Sequence, residues 1–286
     1  MKRRLRRTVA AFFALLAGLM TGCDAPAQAP ETTQQTLSVM GDWNVYCFQA
    51  GKADAFLLWN EDSAVLIDTG ESGFGKTIVS YMQEQGITKL DLLIITHFDK
   101  DHVGGAKKVL ESVEVARILQ SNVPKDSSAY SKYLAALAAK GLTAETVQGD
   151  LNITLSDATI TVNGPTKVYS VDESNNSSLI VSFCHGADKL LFMGDAEDER
   201  IAEFVAQNQT DYDWIKIPYH GHWQDGLQAL LKSTSPETAV ITSSSEEPED
   251  EQTLDLLAQY DIAVYLTREG AIRFTSTGSG VTTQGA

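Results

Sequence analysis

The sequence predicts an α/β fold, a four-layered αββα sandwich made of two β-rich halves with flanking helices. Three observations lead there. Short apolar runs bounded by turn residues recur at strand length along residues 39–286. Segments with helical apolar spacing separate them. This stretch of about 245 residues shows no second linker and no solenoid-type repeat, so it reads as one domain.

The elements follow in order. Val45–Gln49, Ala55–Trp59 and Ala64–Ile67 are apolar runs parted by turn residues and read as strands of a meander. Phe74–Gln85 reads as a helix after the glycines at 70, 73 and 75. Leu92–Thr96 is continuously apolar, the mark of a buried strand. Gly105–Ser112 begins a helix. Tyr130, Tyr133, Leu134, Leu137 and Ala138 share one helical face, expected to pack into the core. Ile153–Leu155, Thr159–Val162, Leu179–Cys184 and Leu190–Met193 read as strands. The last two are joined by His185-Gly186-Ala187-Asp188, a hairpin-turn composition that should leave His185 in solvent. A helix over Ala196–Gln207, a strand at Trp214–Ile217, a helix over Gln224–Leu231 and a strand at Thr238–Thr242 come next. Leu254–Gln259 is helical, and Ala263–Leu266 with Ala271–Phe274 is expected to close as a hairpin.

Residues before 39 are of another kind. Lys2, Arg3, Arg4, Arg6 and Arg7 precede an apolar run from Val9 to Met20. At about 12 residues the run is shorter than the roughly 20 a bilayer span needs, and it reads as a secretory signal over residues 1–22. Leu19-Met20-Thr21-Gly22-Cys23 is similar to a lipobox, which makes Cys23 the expected lipidation site and first mature residue. Asp24 resembles the signal that retains Gram-negative lipoproteins on the periplasmic side of the inner membrane, so the membrane is an expected partner through the lipid anchor. Residues 23–38 are rich in Pro, Ala, Gln and Thr and read as a flexible tether.

Removing residues 1–22 leaves 17 Lys+Arg against 38 Asp+Glu, a net charge of −21. Nucleic-acid affinity rests largely on basic side chains neutralising phosphates. With no basic stripe to offset this charge, the composition argues against long DNA or RNA as a substrate. Cys47 and Cys184 lie within expected strands. A pair is chemically open in an oxidising compartment, but a chain of this length needs no staple, and two free thiols are expected.

The chemistry is concentrated in Thr96-His97-Phe98-Asp99-Lys100-Asp101-His102-Val103-Gly104-Gly105. Four potential ligands fall within six residues, directly after a buried strand, and two of the five histidines of the chain are among them. A loop can turn all four toward one point, and neutral imidazole with ionised carboxylate suits divalent metals. The glycine pair would let the backbone turn tightly into the next helix. Asp195 follows an apolar strand and precedes a helix, where a carboxylate can face a cleft or cap the helix.

This segment resembles the HxHxDH metal motif of the metallo-β-lactamase superfamily, with Asp99 in place of the middle histidine. That variant is similar to the extracellular hydrolase domain of the DNA-uptake competence protein ComEC and its stand-alone, phosphodiester-cleaving relatives. Other segments resemble the family in order: Phe48–Leu57, Ala64–Gly70 with its IDTG turn, Asn176–Val181, Phe192–Asp195, Lys216–Gly221, and Gly270–Phe274. The resemblance spans roughly residues 40–278. It implies that His97 and Asp99 serve a first metal, that Asp101, His102 and His220 serve a second, and that Asp195 bridges both. Asp68 would orient a ligand from behind. Asp101 and Asp195 would carry the catalytic step through one or two divalent ions, zinc or manganese, with the Asp99 carboxylate favouring manganese.

Departures from the family pattern narrow the expectation. Asn175-Asn176-Ser177-Ser178 stands where the family often supplies another histidine, which leaves the first metal weakly held or completed by water. Tyr219-His220 replaces a histidine pair; the ligand is assigned to His220. His222 is open to three roles: proton donor, extra ligand or surface residue. Tyr219 is a further candidate donor. Ser243–Glu251 is acidic and reads as a solvated face. The expected activity is hydrolysis of a small or cell-envelope phosphoester. The alternatives are acyl hydrolysis of lactonase or β-lactamase type, or a metal-depleted envelope binding module.

Overall fold

A computed structural model describes residues 40–284. The expected signal segment, Cys23 and the tether lie outside them. The described residues belong to one compact unit.

The first half comprises β1 (Trp43–Cys47), β2 (Phe56–Trp59), β3 (Ala64–Ile67), α1 (Gly75–Glu84), β4 (Lys89–Leu90), β5 (Leu92–Ile95), α2 (Lys100–Val103), α3 (Ala106–Ser112), β6 (Glu114–Val115), β7 (Ile118–Gln120), α4 (Ser128–Lys140) and β8 (Glu145–Thr146). The second comprises β9 (Gly149–Leu155), β10 (Ala158–Gly164), β11 (Ile180–His185), β12 (Asp188–Phe192), α5 (Asp198–Gln207), β13 (Trp214–Lys216), α6 (Leu227–Thr234), β14 (Thr238–Ile241), α7 (Glu251–Gln259), β15 (Ala263–Leu266), β16 (Ile272–Ser276) and β17 (Val281–Gln284). One sheet runs β17-β16-β1-β2-β3-β5-β7-β8, the other β15-β14-β13-β12-β11-β10-β9.

Strand alternation builds the four layers. Phe56 and Leu58 of β2 face inward, with Val65, Ile67, Leu92 and Ile94, against Val162, Val181, Phe192 and Trp214 of the other sheet. Leu57 and Trp59 face outward, under Ile78, Met82, Val109 and Tyr133 of α1, α3 and α4. On the far side, Leu191, Ile215 and Ile241 lie under Ile201, Leu230 and Leu257 of α5, α6 and α7. The result is the αββα sandwich, with both central strand sets buried on two faces as their unbroken apolar runs require.

Four expectations are corrected. The final hairpin does not exist: β15 pairs in parallel with β14, whereas β16 pairs antiparallel with β1 in the other sheet. A 3₁₀ turn and Gly270, at φ 153°, carry the chain across, so pairing follows the nearest open edge rather than sequence adjacency. On α4, Tyr133 and Leu137 are buried together with Ala129 and Ala136, while Leu134 is 41% exposed and Ala138 is exposed. The buried face is rotated by about one position from the one the larger side chains suggest. His185 is fully buried, not solvated, as the last residue of β11. Its Nδ1 lies 2.8 Å from Ser276 Oγ, and Ser276 donates to Asp188 at 2.7 Å. Within Ser243–Glu251, residues 245–248 are exposed, but Glu249 is buried and accepts Arg268 at 3.0 Å. Cys47 and Cys184 are free thiols.

Candidate metal centre

The site lies where strands of both sheets end. β5 runs into the loop carrying His97 and Asp99, and α2 presents Asp101 and His102. β12 ends at Phe192, just before Asp195, and β13 ends at Lys216, just before the 3₁₀ turn Pro218–Gly221 with His220. The glycine pair serves contact rather than turning. Gly104 and Gly105 have right-handed helical dihedrals, but a Cβ would lie 2.2 Å from Lys100 O and Thr69 O respectively. Tyr219 and His220 take left-handed backbone at φ 48° and 55°, a conformation costing on the order of 1–3 kcal/mol per residue. Packing holds it, and with it the buried His220 ring.

His97, His102, Asp101, Asp195 and His220 are buried within one cluster. Asp195 Oδ2 lies 3.2 Å from His102 Nε2, 2.9 Å from His220 Nε2 and 4.0 Å from His97 Nε2; Asp101 Oδ2 lies 3.6 Å from His220 Nε2. All three Nε2 atoms are buried and, among the described residues, without a hydrogen-bond partner. An orphaned buried polar atom is costly, and three aimed at one carboxylate oxygen call for a cation.

The other ring nitrogens fix the tautomer. His102 Nδ1 lies 2.8 Å from Asp68 Oδ2, which can only accept. Thr96 Oγ1 donates to Asp68 Oδ2 at 2.6 Å, so toward His97 Nδ1, 3.2 Å away, it accepts. In the same way Thr242 Oγ1 donates to Asp54 Oδ1 at 2.6 Å and accepts from His220 Nδ1 at 3.1 Å. Two carboxylate–threonine–imidazole chains and one direct carboxylate contact thus place a proton on every Nδ1. They leave every Nε2 facing the centre: on His97, held neutral, it carries the lone pair, while His102, which Asp195 and Asp68 favour as the cation, would give up its Nε2 proton to a bound metal.

Electrostatics agree. Burial and the neighbouring His102 push His97 down to about 4, so its ring is neutral at neutral pH. Burial opposes charge at His102, but the Asp195 and Asp68 carboxylates outweigh it and raise that imidazole well above its usual value. Asp195, despite burial, is held well below the carboxylate range by His102, His220 and Lys216. The cluster favours positive charge at its middle.

Asp99 stands apart. Its Oδ1 accepts from Lys125 Nζ and from Ser174 Oγ at 2.8 Å, and lies 3.9 Å from His97 Nε2. Ser178 Oγ, in the segment that replaces the family histidine, sits 3.4 Å from His97 Nδ1 and accepts Asp195 N. His222 is a third exposed, with Nδ1 3.6 Å from Asp250 Oδ1. Tyr219 is part-buried, and burial, Glu197 and Asp195 raise its phenol, which stays protonated at neutral pH.

Sequence reasoning missed Asp54, Lys216 and Lys125. Lys216 is fully buried and reaches Asp54 Oδ2 at 2.6 Å, Gly194 O at 2.8 Å and Asp195 Oδ1 at 3.4 Å. A lysine closing a wholly buried strand and an aspartate before one were the available signals, since an unpaired charge is not buried in such places.

Among known proteins, the model of the metallo-β-lactamase superfamily matches residues 49–243. ComE operon protein 3 of Bacillus subtilis is 27% identical over 208 residues, 70% of this chain and 26% of its own length. Recombination protein 2 of Haemophilus influenzae is 26% identical over 214 residues, 72% of this chain and 25% of its own. The chain thus spans about a quarter of these curated relatives. Among solved structures, the metallo-β-lactamase fold protein YhfI from Bacillus subtilis superposes with a TM-score of 0.53 at 13% identity, covering 82% of this chain and all of that one. CmlA, a diiron β-hydroxylase from Streptomyces venezuelae, gives 0.50 at 15% identity over 82% of this chain and 54% of its own; both likenesses speak for the fold. Two buried sheets, their covering helices, the clustered imidazoles and the family match agree: this chain belongs to the metallo-β-lactamase superfamily.

Proposed function

We propose that this protein is a metal-dependent hydrolase of a small or cell-envelope phosphoester, anchored by a lipid on Cys23 at the periplasmic face of the inner membrane. The observation that carries the metal reading is the convergence of three unpartnered Nε2 atoms on Asp195, with every Nδ1 committed elsewhere. His97, Asp101, His102, Asp195 and His220 would hold the ion. When bound, a divalent ion there would supply Lewis acidity and a water acidified to a pKa of about 7.

The chain's own groups do the rest. Lys216 takes Asp195 Oδ1 and leaves Oδ2 toward the imidazoles. Asp68, Thr96, Asp54 and Thr242 hold the rings in one tautomer and orientation. Tyr219, whose phenol stays protonated, is the candidate to give a proton to a departing oxygen. Lys52, paired with Asp101 and Glu247, and Lys125, paired with Asp99, offset carboxylate charge at the rim that would otherwise repel an anionic phosphoester. The HxDxDH spacing of His97 to His102 also resembles phosphodiester-cleaving relatives.

The test is metal analysis of the purified protein together with turnover of bis-p-nitrophenyl phosphate, p-nitrophenyl phosphate and nitrocefin. The expected result is bound divalent metal and hydrolysis of a phosphoester, both lost in Asp195→Ala. Turnover of nitrocefin alone would overturn the phosphoester reading, and a metal-free protein would overturn the hydrolase.

A further inference from the structure

We propose that Lys125 is a built-in cation of this centre: its ammonium neutralises Asp99 in place of a first metal, so the chain holds one divalent ion tightly rather than two. The inference rests on reading the cluster as a metal centre and concerns how many ions that centre takes.

Ligand spacing divides the centre. Two ligands at about 2.1 Å from one ion and at a tetrahedral angle are about 3.4 Å apart. The contacts among Asp195, His102, His220 and Asp101 fall around that value, at 3.2, 2.9 and 3.6 Å. His97 Nε2 lies at 3.9 Å from Asp99 and 4.0 Å from Asp195, and Asp99 joins none of the buried ligand groups. The first half of the centre is stretched where the second is compact.

That half also has fewer ligands and an added cation. Ser178 occupies the segment where a further histidine is expected, and its hydroxyl serves His97 Nδ1 and Asp195 N from behind. Lys125 Nζ sits on Asp99 Oδ1 and is steadied by Ser174 Oγ at 2.9 Å, while Ser174 also donates to the same Asp99 oxygen. A carboxylate oxygen that already accepts an ammonium and a hydroxyl has little left for a metal. An ion placed there would also meet the Lys125 charge at close range.

Charge points the same way. Five carboxylates line or touch the centre: Asp54, Asp68, Asp99, Asp101 and Asp195. Three ammonium groups pair with them: Lys216 with Asp54 and Asp195, Lys125 with Asp99, and Lys52 with Asp101. Lys216 and Lys125 cancel two of the five charges and Lys52 divides its own between Asp101 and the nearer Glu247, at 3.3 Å, so two to three negative charges are left for one divalent ion to offset. A second would leave a partly desolvated surplus of positive charge.

The experiment is equilibrium dialysis of the full chain against Zn²⁺ and against Mn²⁺, with bound metal counted by mass spectrometry, for wild type, Lys125→Met, Lys125→Arg and Asp99→Asn. The expected result is one tight ion in the wild type and in Lys125→Arg. Lys125→Met should take up a second ion at least about tenfold more tightly than the wild type does. Asp99→Asn should keep the one tight ion unchanged. Lys125 and Asp99 are each about a quarter exposed or more, so these variants test charge rather than folding. Two ions of similar affinity in the wild type, an unchanged count in Lys125→Met, or loss of the tight ion in Asp99→Asn would each overturn the proposal while leaving the metal centre standing. A wild type that binds no ion would overturn the metal centre itself, and the proposal with it.

Discussion

Replacing Lys216 by Met tests the electrostatic frame of the site most directly. The side chain is fully buried, and its ammonium meets Asp54 at 2.6 Å, with Asp54 1% exposed, and Asp195 at 3.4 Å. Met keeps the length and removes the charge, stranding two buried carboxylates in the metal-stripped protein. Breaking a buried pair by removing one partner costs about 3–5 kcal/mol. For a domain of this size, at roughly 2–4 °C per kcal/mol, the midpoint should fall by about 6–20 °C. Burial opposes the Lys216 charge, but Asp54 and Asp195 raise its pKa above the ordinary lysine value. Its stabilisation is therefore complete below about pH 10.4 and is lost only as pH rises through the higher folded value, so melts at pH 7.5 report the whole effect. The assay is circular-dichroism melting in chelator for wild type, Lys216→Met, Asp54→Asn and the double variant. Since Asp54→Asn removes one of the stranded charges, the double variant should recover on the order of 2 kcal/mol relative to additivity. A Lys216→Met midpoint within 2 °C of wild type, or strict additivity in the cycle, would refute the reasoning.

Four further outcomes are expected. Phe56→Ala, which empties a site 5.2 Å from the Phe192 ring between the sheets, should cost about 3–5 kcal/mol in denaturant unfolding; a loss below about 1 kcal/mol would mean that the inter-sheet core is not packed as described. His185→Ala should lower stability by about 1–3 kcal/mol, because it strips Ser276 of a buried partner, yet leave bound metal unchanged; loss of metal would contradict its placement outside the site. In a Cys23→Ala background, Cys47 should resist alkylation at pH 8 until urea is added, since burial and Asp54 push its thiol well up, and native labelling as fast as in urea would count against this. Cys23→Ala should itself move the protein from the membrane to the soluble fraction, and unchanged fractionation would remove the lipid anchor.

What could be read in advance, and what could not, divides along a physical line. Strands buried on both faces announce themselves: the Ala64–Ile67 run is the observed β3, and Leu92–Thr96 differs from β5 by one residue, because continuous apolar runs leave few alternatives. Ligand-bearing loops at the ends of such strands were legible for the same reason, as the crowding of His97 to His102 after β5 stands out against five histidines in all. The misses arise where long-range pairing decides. β15 and β16 look like a hairpin because a short turn-rich stretch joins them, yet each meets a better edge in a different sheet. His185 looks like a turn residue until β16 places Ser276 beside it, 91 positions away in the chain. Asp54, Thr242 and Lys216 show locally no more than a charge or a hydroxyl beside a buried strand, with no sign of a role. They acquire one only when the 188-position separation of Asp54 and Thr242 is folded away and a threonine hydroxyl can stand between Asp54 and His220. Metal ligands are concentrated in recognisable segments because they must share one point. The groups that orient them need only touch the far side of a ring, so any element passing behind the site can supply them. The same freedom explains Lys125: a cation from the loop before α4 can reach Asp99 without changing the spacing that resembles the family motif, and so alter what the motif binds while leaving its letters intact.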